Sequence, residues 1–460
     1  MGYAALPIII LLEVFLAFRT CIKKQTKSSW AKERLAVRAI EALVIILLLC
    51  FSRQKWRFVP ALFILALLLF ISILSLLLSK RKRRILTEQG QPAEKPKKAF
   101  AAIFSCIFSV LLLGLFLIPA LLFTDYSGLP VSGEHKVAET AAILVDRSRP
   151  DPFEGEDRRR EVPVHFYYPA EEGKETYPLI LFSHGAFGYY QSNTSTYLEL
   201  ASNGYVVVAL DHPHHAFFTE DTAGQIVLAD GDFLNTAMNL GSVNDPSQEY
   251  ELYSQWMALR TADMNFALEC IKAGAESGEI GENWFLAKGE KAAVLTALAK
   301  TDSSRIGLMG HSMGGATSVL LGREREDVGA VIDIDGTMLG EYLGVEEGKF
   351  VINDAPYSVP VLEFVNWDSF SELQEYLSAG NSYPNEELMK NAHAGFRTTV
   401  QDTKHMDYTD LPMFSPALGN LLGSGSRSTK ETMTIVNSLV LSFYDCYLKG
   451  EGVFTVQEVY

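Results

Sequence analysis

The sequence predicts an α/β protein with a mostly parallel central sheet flanked by helices, preceded by an all-α transmembrane region of about four helices. Three observations carry that expectation. Residues 1–123 are basic and aliphatic, whereas the rest of the chain is acidic and mixed. Short, fully apolar runs such as Leu179–Phe182 and Tyr205–Leu210 alternate with helical patterns, as in a sheet covered on both faces. Across Ser303–Gly322 an apolar strand run, a tight glycine turn and a helical pattern follow one another.

The front of the chain holds 18 Lys/Arg against 5 Asp/Glu, a net of +13; the remainder holds 22 against 50, a net of −28. So acidic a body repels phosphates, which argues against nucleic acid as a partner. Phe100–Phe123 and Phe58–Ser79 are uncharged and long enough to cross a bilayer, which takes about 20 residues. Leu35–Phe51 is shorter and carries Arg38 and Glu41; Ala4 to about Cys21 contains Glu13 but lacks the basic start and cleavage site of a signal peptide. These charges are read as snorkelling or pairing rather than as an ion pathway. The loops Lys23–Arg38 and Lys80–Lys98 are strongly basic, including Lys24 and Lys95, while the connection between the middle spans has only Arg53, Lys55 and Arg57. Both basic loops therefore belong in the cytoplasm, and everything after Phe123 outside it, whether or not the first span is real. The expectation is a multi-pass cell-membrane protein with an extracytoplasmic acidic domain.

Residues 124–136 form a turn-rich linker, and the domain proper is read as 137–460. Strands are expected at Val137–Val145, Val162–Tyr168, Leu179–Phe182, Tyr205–Leu210, Ile306–Met309, Ala330–Ile334, Val361–Val365 and Arg397–Gln401. Arg147–Arg160, charged and broken by two prolines, is read as a surface excursion. Helices are expected at Ser195–Ser202, over Ser247–Ala273 with Trp256, Arg260 and Met264 on one stripe, and at Thr429–Leu448, with a helical insertion near 242–300.

Gly310-His311-Ser312-Met313-Gly314 between a strand and a helix is the pattern of a nucleophile elbow, and with it the fold becomes an α/β-hydrolase. The turn leaves no room for side chains two residues either side of the serine, and Gly310 and Gly314 fill those places. Serine needs a base, and the base an orienting acid. In this fold the order is serine, acid, histidine. Only His393 and His405 follow Ser312; His405 lies beyond the carboxyl end of a strand, and His393 at the wrong end. Asp335, at the tip of VIDID, is the first choice of acid, with Asp368 the runner-up and Asp333 a buried support. Two backbone donors should hold the oxyanion, Met313 N–H after the serine and Ala186 N–H in the turn Ser183–Gly188. His212, His214 and His215 cluster around Pro213 without a second ligand pair elsewhere, so they are read as lining the site mouth, with no metal and no cofactor expected. A disulfide between Cys270 and Cys446 has no support in the sequence.

Seven segments carry a family resemblance: VDRSRPDPF, RREVPVHFYYPAE, YPLILFSHGAFG, LASNGYVVVALDHPHH, GLMGHSMGG, VIDIDG and DTKHMDYTD. Over roughly residues 130–460 the chain resembles the platelet-activating factor acetylhydrolases of the plasma, or lipoprotein-associated phospholipase A2, type, and their bacterial α/β-hydrolase relatives. The 23-residue step from serine to acid is close to the family pattern, and so the resemblance supports Asp335 over Asp368. It implies a 1-alkyl-2-acetylglycerophosphocholine esterase that removes short or oxidised sn-2 acyl chains from phospholipids without calcium. It does not extend to the membrane spans. Other readings are a short-chain carboxylesterase or lipase on a non-phospholipid ester, and a membrane sensor with a silent hydrolase-like domain. A transporter is disfavoured by spans with few interior polar groups.

Overall fold

The computed structural model describes every residue except Met1, Lys24, 91–95, Glu172, Gly241, Ser242 and Asn244. Lys24 and Lys95 of the two basic loops, and the start of the expected insertion at Ser242, lie outside the described residues. The chain divides into two compact units, Met1–Gly128 with Met413–Leu421, and Leu129–Pro412 with Leu422–Tyr460.

The first unit contains α1 (Gly2–Ile22), α2 (Lys27–Phe51), α3 (Val59–Glu88), α4 (Ala99–Phe116) and the short α5 (Ile118–Leu122). Three helical stretches, Ala5–Ile22, Lys55–Glu88 and Ala99–Phe116, are long and apolar enough to cross a membrane. α2 falls short of that composition because its last 18 residues, 34–51, include Arg34, Arg38 and Glu41. Those charges point inward. Arg34 bonds Glu13 of α1 and Ser109 of α4, and Arg38 bonds Glu41 at 2.7 Å and Glu13 at 3.2 Å. The outer faces expose Leu11, Phe15, Phe63, Phe70, Phe104 and Leu111. Residues Met413–Leu421, expected in the hydrolase part, pack in this unit: Phe414 stacks against Phe123 and Trp56, and Thr124 Oγ1 donates to the Met413 carbonyl at 2.8 Å.

The second unit is an α/β-hydrolase. Its strands are β1 (Val137–Asp151), β2 (Gly155–Pro169), β3 (Tyr177–Ser183), β4 (Val206–Leu210), β5 (Phe218–Glu220), β6 (Ile226–Leu228), β7 (Trp284–Phe285), β8 (Thr301–His311), β9 (Val328–Ile334), β10 (Tyr342–Glu346), β11 (Lys349–Ile352), β12 (Val361–Asn366) and β13 (Gly395–Val400). Nine of them form one sheet in the order β13-β12-β9-β8-β3-β4-β2-β1-β7; β5-β6 and β10-β11 are separate hairpins. From β13 to β4 all neighbours run parallel, and β2, β1 and β7 add antiparallel pairs.

Alternation along the strands feeds two cores. Leu179, Leu181, Val206, Val208 and Leu308 face α8 (Pro246–Ser277) and α9 (Lys291–Ala299). Ile180, Phe182, Val207, Ala209 and Met309 face α6 (Thr194–Ser202) and the C-terminal helix Thr429–Tyr444. Strand side chains point to opposite faces in turn, so a strand sandwiched by helices must be apolar throughout.

Three expectations need correction. Arg147–Arg160 is largely exposed, as expected, but it is a paired hairpin and not a loop: β1 and β2 pair again at Asp151 opposite Gly155 after a bulge, and Asp151 and Arg160 are buried. The charge of Arg160 is met by Asp151 at 3.1 Å and Asp263 at 2.7 Å, which is how an arginine of this hairpin is enclosed. The expected insertion near 242–300 is not wholly helical, since β7 pairs with β1 before α9 begins. Helices also form at Gly231–Met238 (α7), between β6 and α8, and at Trp367–Ser378 and Pro384–Asn391, either side of residue 380. All five cysteines are free; Cys270 lies in the core on one side of the sheet and Cys446 packs against the other.

Candidate active site

Parallel register brings the carboxyl ends of the central strands level. Ser183 of β3 lies opposite Gly310 of β8, His311 opposite Ile334 of β9, and Asn366 of β12 opposite Val400 of β13. The residue after each strand therefore opens onto one edge, where ligands of such sheets bind.

Ser312 follows β8 directly and precedes α10 (Met313–Glu324). Its φ of 55° and ψ of −126° are a strained combination for a residue with a Cβ. The turn is closed by contact. A Cβ on Gly310 would stand 2.2 Å from the Gly314 carbonyl carbon, and one on Gly314 would stand 2.0 Å from the Ser183 oxygen. Gly315 is equally constrained, since a Cβ there would stand 1.8 Å from Asp333 Oδ1. Ser312 N–H donates to the Ile334 carbonyl at 2.8 Å, so the elbow is tied to the end of β9.

Asp335 is the next residue after β9 and also has a positive φ, 57°. Its Oδ2 accepts from His405 Nδ1 at 2.6 Å. Burial alone would raise its pKa, but the His405 bond and the Asn366 backbone N–H hold the carboxyl below its ordinary value. Burial likewise opposes a charged His405, and Asp335 outweighs it, so the imidazole lies above its ordinary value. With Nδ1 donating to the carboxylate, Nε2 is the nitrogen left for a substrate proton. His405 reaches this place at the start of the turn His405–Tyr408, beyond β13, and its ring centroid is 4.6 Å from that of His311. Among the described residues the Ser312 hydroxyl has no hydrogen-bond partner, a gap that enzymes without substrate commonly show.

The two rival acids lie elsewhere. Asp368 is exposed and pairs with Lys404 at 3.4 Å. Asp333 is buried beneath the elbow, where burial and the neighbouring Glu363 and Asp335 carboxyls push its pKa well up, and it accepts from Gly336 N–H at 3.1 Å. His393 sits before β13, at the opposite end of the sheet.

The turn after β3 lies against the elbow: a Cβ on Gly185 would be 3.1 Å from Ser312 Cβ. Phe187 N–H is spent on the His215 carbonyl at 3.1 Å, whereas neither Ala186 nor Met313 N–H donates to another group among the described residues. Both side chains belong to one apolar cluster with Phe187, Phe233 and Trp256, which keeps water from the side of the site they flank.

His212 and His215 are buried behind the turn. His212 Nδ1 donates to Asp263 at 3.0 Å, its Nε2 accepts from Ser183 Oγ at 2.9 Å, and burial with the nearby Arg260 pushes its pKa down to about 3. His214, at the edge, stacks on Phe153. Sequence reasoning missed two residues that touch this machinery. Asn366 donates to Asp335 through both its backbone N–H, at 2.6 Å, and its side chain. Arg260 bonds the turn after β3 from α8; the only signal of it was an arginine on the apolar stripe of that helix.

A family model, platelet-activating factor acetylhydrolase, isoform II, matches residues 160–454. The chain belongs to this family. Among curated relatives, platelet-activating factor acetylhydrolase of Cavia porcellus is 23% identical over 308 residues, 63% of this chain and 61% of that protein. The Canis lupus familiaris protein of the same name is 22% identical over 298 residues, 62% and 60% of the two chains. The Bos taurus one is 25% identical over 286 residues, 60% and 58%. The match thus spans about three fifths of those proteins.

Proposed function

We propose that this chain is a membrane-anchored serine carboxylic-ester hydrolase in which Ser312, His405 and Asp335 form the catalytic triad. The observation that carries the reading is the Asp335–His405 bond at the same sheet edge as a serine in a strained, glycine-walled elbow. Ser312 Oγ attacks the ester carbonyl while His405 Nε2 takes its proton. The tetrahedral oxyanion is held by the Ala186 and Met313 N–H groups, the latter at the positive end of α10. Collapse expels the alcohol, which receives the proton from His405, and leaves an acyl-serine. Water then attacks through the same base and releases the acid. Asp335 keeps the ring in the tautomer that exposes Nε2.

Family membership supports phospholipids with short or oxidised sn-2 acyl groups as substrates, cleaved without calcium, since the carbonyl is activated by amides and not by a cation. The inward-facing, paired charges of α2 support its counting as a fourth span, with the acidic hydrolase outside the cytoplasm.

The test is hydrolysis of p-nitrophenyl butyrate by the full-length protein in detergent. Activity should disappear in Ser312→Ala, and a fluorophosphonate probe should label Ser312. An active Ser312→Ala protein, or labelling elsewhere, overturns the triad. A panel of 2-acetyl phospholipids, oxidised phospholipids and simple acyl esters, run with and without EDTA, then separates a phospholipase from a general carboxylesterase.

A further inference from the structure

Two arginines are wholly buried behind the oxyanion turn, and they are treated differently. Arg160 meets two carboxylates, Asp151 and Asp263. Arg260, on α8, makes no ion pair among the described residues. Its hydrogen bonds go to the His184 carbonyl at 2.5 Å, the Gly185 carbonyl at 3.4 Å and His215 Nδ1 at 3.2 Å. A buried guanidinium without its own carboxylate is costly, so its bonds to main-chain oxygens call for a reason.

The tautomers around it follow from the donors. His212 N–H donates to His184 Nε2 at 3.1 Å, so His184 carries its proton on Nδ1 and gives it to the Gly185 carbonyl at 2.6 Å. Gly188 N–H donates to the same oxygen at 3.1 Å. The Gly185 carbonyl thus collects three donors. A trans peptide is planar, with its N–H opposed to its C=O. The N–H of the Gly185–Ala186 peptide is that of Ala186, and Gly185 packs against Ser312.

We propose that Arg260 is the positioning residue of the oxyanion turn: by holding the His184 and Gly185 carbonyls from behind, it fixes the Gly185–Ala186 peptide with the Ala186 N–H facing the Ser312 reaction centre. The proposal rests on the serine-esterase reading above. Three donors on one carbonyl also polarise the amide, which strengthens the N–H as a donor. His184 assists, and His215 holds the guanidinium by its third bond. Arg260 touches no substrate; it acts through Ala186.

The experiment compares full-length wild type with Arg260→Met and Arg260→Lys, reading kcat and KM for p-nitrophenyl butyrate and Ki for an alkyl trifluoromethyl ketone. That ketone binds as a tetrahedral oxyanion adduct of the serine. Removing one oxyanion donor costs about 10²- to 10³-fold in kcat. Arg260→Met should therefore lose about a hundredfold in kcat, raise the ketone Ki in parallel, and leave KM within about threefold. Arg260→Lys, which reaches one carbonyl but not both, should fall between. Methylguanidinium at millimolar concentration should restore part of the loss in Arg260→Met only. If Arg260→Met does not fold, the lysine variant alone carries the kcat, Ki and KM comparison. A folded variant with kcat within threefold of wild type, or a loss in which KM rises while Ki does not, overturns the positioning role. Ser312→Ala is run alongside: if it stays active, the esterase reading fails first, and the two failures are told apart.

Discussion

In the proposed triad His405 has to be neutral to accept the Ser312 proton, and its pKa is raised by Asp335. Activity should therefore climb with pH through a value above the ordinary imidazole figure of about 6.5 and fall away below it. Asp335→Asn removes the cause of that rise. We expect its acid limb in kcat/KM to move to lower pH and kcat to fall by about 10⁴, because the amide no longer holds the productive tautomer. Stopped assays from pH 5 to 9 on both proteins measure the two effects together; an unshifted limb would separate Asp335 from His405. Asn366→Ala leaves the pair in place but strips Asp335 of one side-chain donor. A smaller loss, about tenfold in kcat, is expected there, with the limb shifted slightly upward as the carboxylate becomes more basic.

The elbow works as a junction between elements. β8, α10 and the turn after β3 approach so closely that only hydrogen fits at Gly310, Gly314 and Gly315. Gly314→Ala forces its methyl into the Ser183 carbonyl, which is backbone and cannot rotate aside; soluble, folded protein should be scarce, and any that survives should show no fluorophosphonate labelling. α8 is fastened to the β1–β2 hairpin by Asp263, which binds Arg160, Arg149 and His212 at once. Burial works against its charge, yet Arg160 and His212 hold its carboxyl below the ordinary range. That stabilisation is complete above the unfolded carboxylate value of about 3.9 and is lost as pH falls below it. Asp263→Asn leaves Arg160 short of charge inside the core, at a cost of about 3–5 kcal/mol. In thermal scans at pH 7 the variant should melt about 10 °C lower.

At the scale of the whole chain, the charge asymmetry and the paired interior of the helical unit make one topological prediction. With native cysteines replaced, Lys349→Cys in the exposed β10–β11 hairpin should react with a membrane-impermeant maleimide on intact cells. Arg83→Cys, in the basic C-terminal turns of α3, should react only after permeabilisation. The reverse pattern would place the acidic hydrolase in the cytoplasm. Glu13→Gln tests the bundle itself: it uncouples α1 from Arg34 and Arg38, and the detergent-solubilised protein should lose stability while esterase kinetics at low temperature stay near wild type.

Local pattern was enough to indicate the parallel sheet, the elbow glycines and the approximate places of Ser312, Asp335 and His405. Each of these depends on chain order: apolar runs between helices, a glycine two residues either side of a serine, an acid and a histidine each just past a strand. What lay beyond reach was everything set by contact across the sequence. Nothing near Arg147–Arg160 says that Arg160 is buried, because its partner Asp263 is 103 residues away. Nor does the spacing of α8 say that Arg260 faces the carbonyls of a turn 75 residues earlier. Whether a charged side chain is solvated or enclosed is decided by what packs over it, and packing is known only once the strands have found their neighbours.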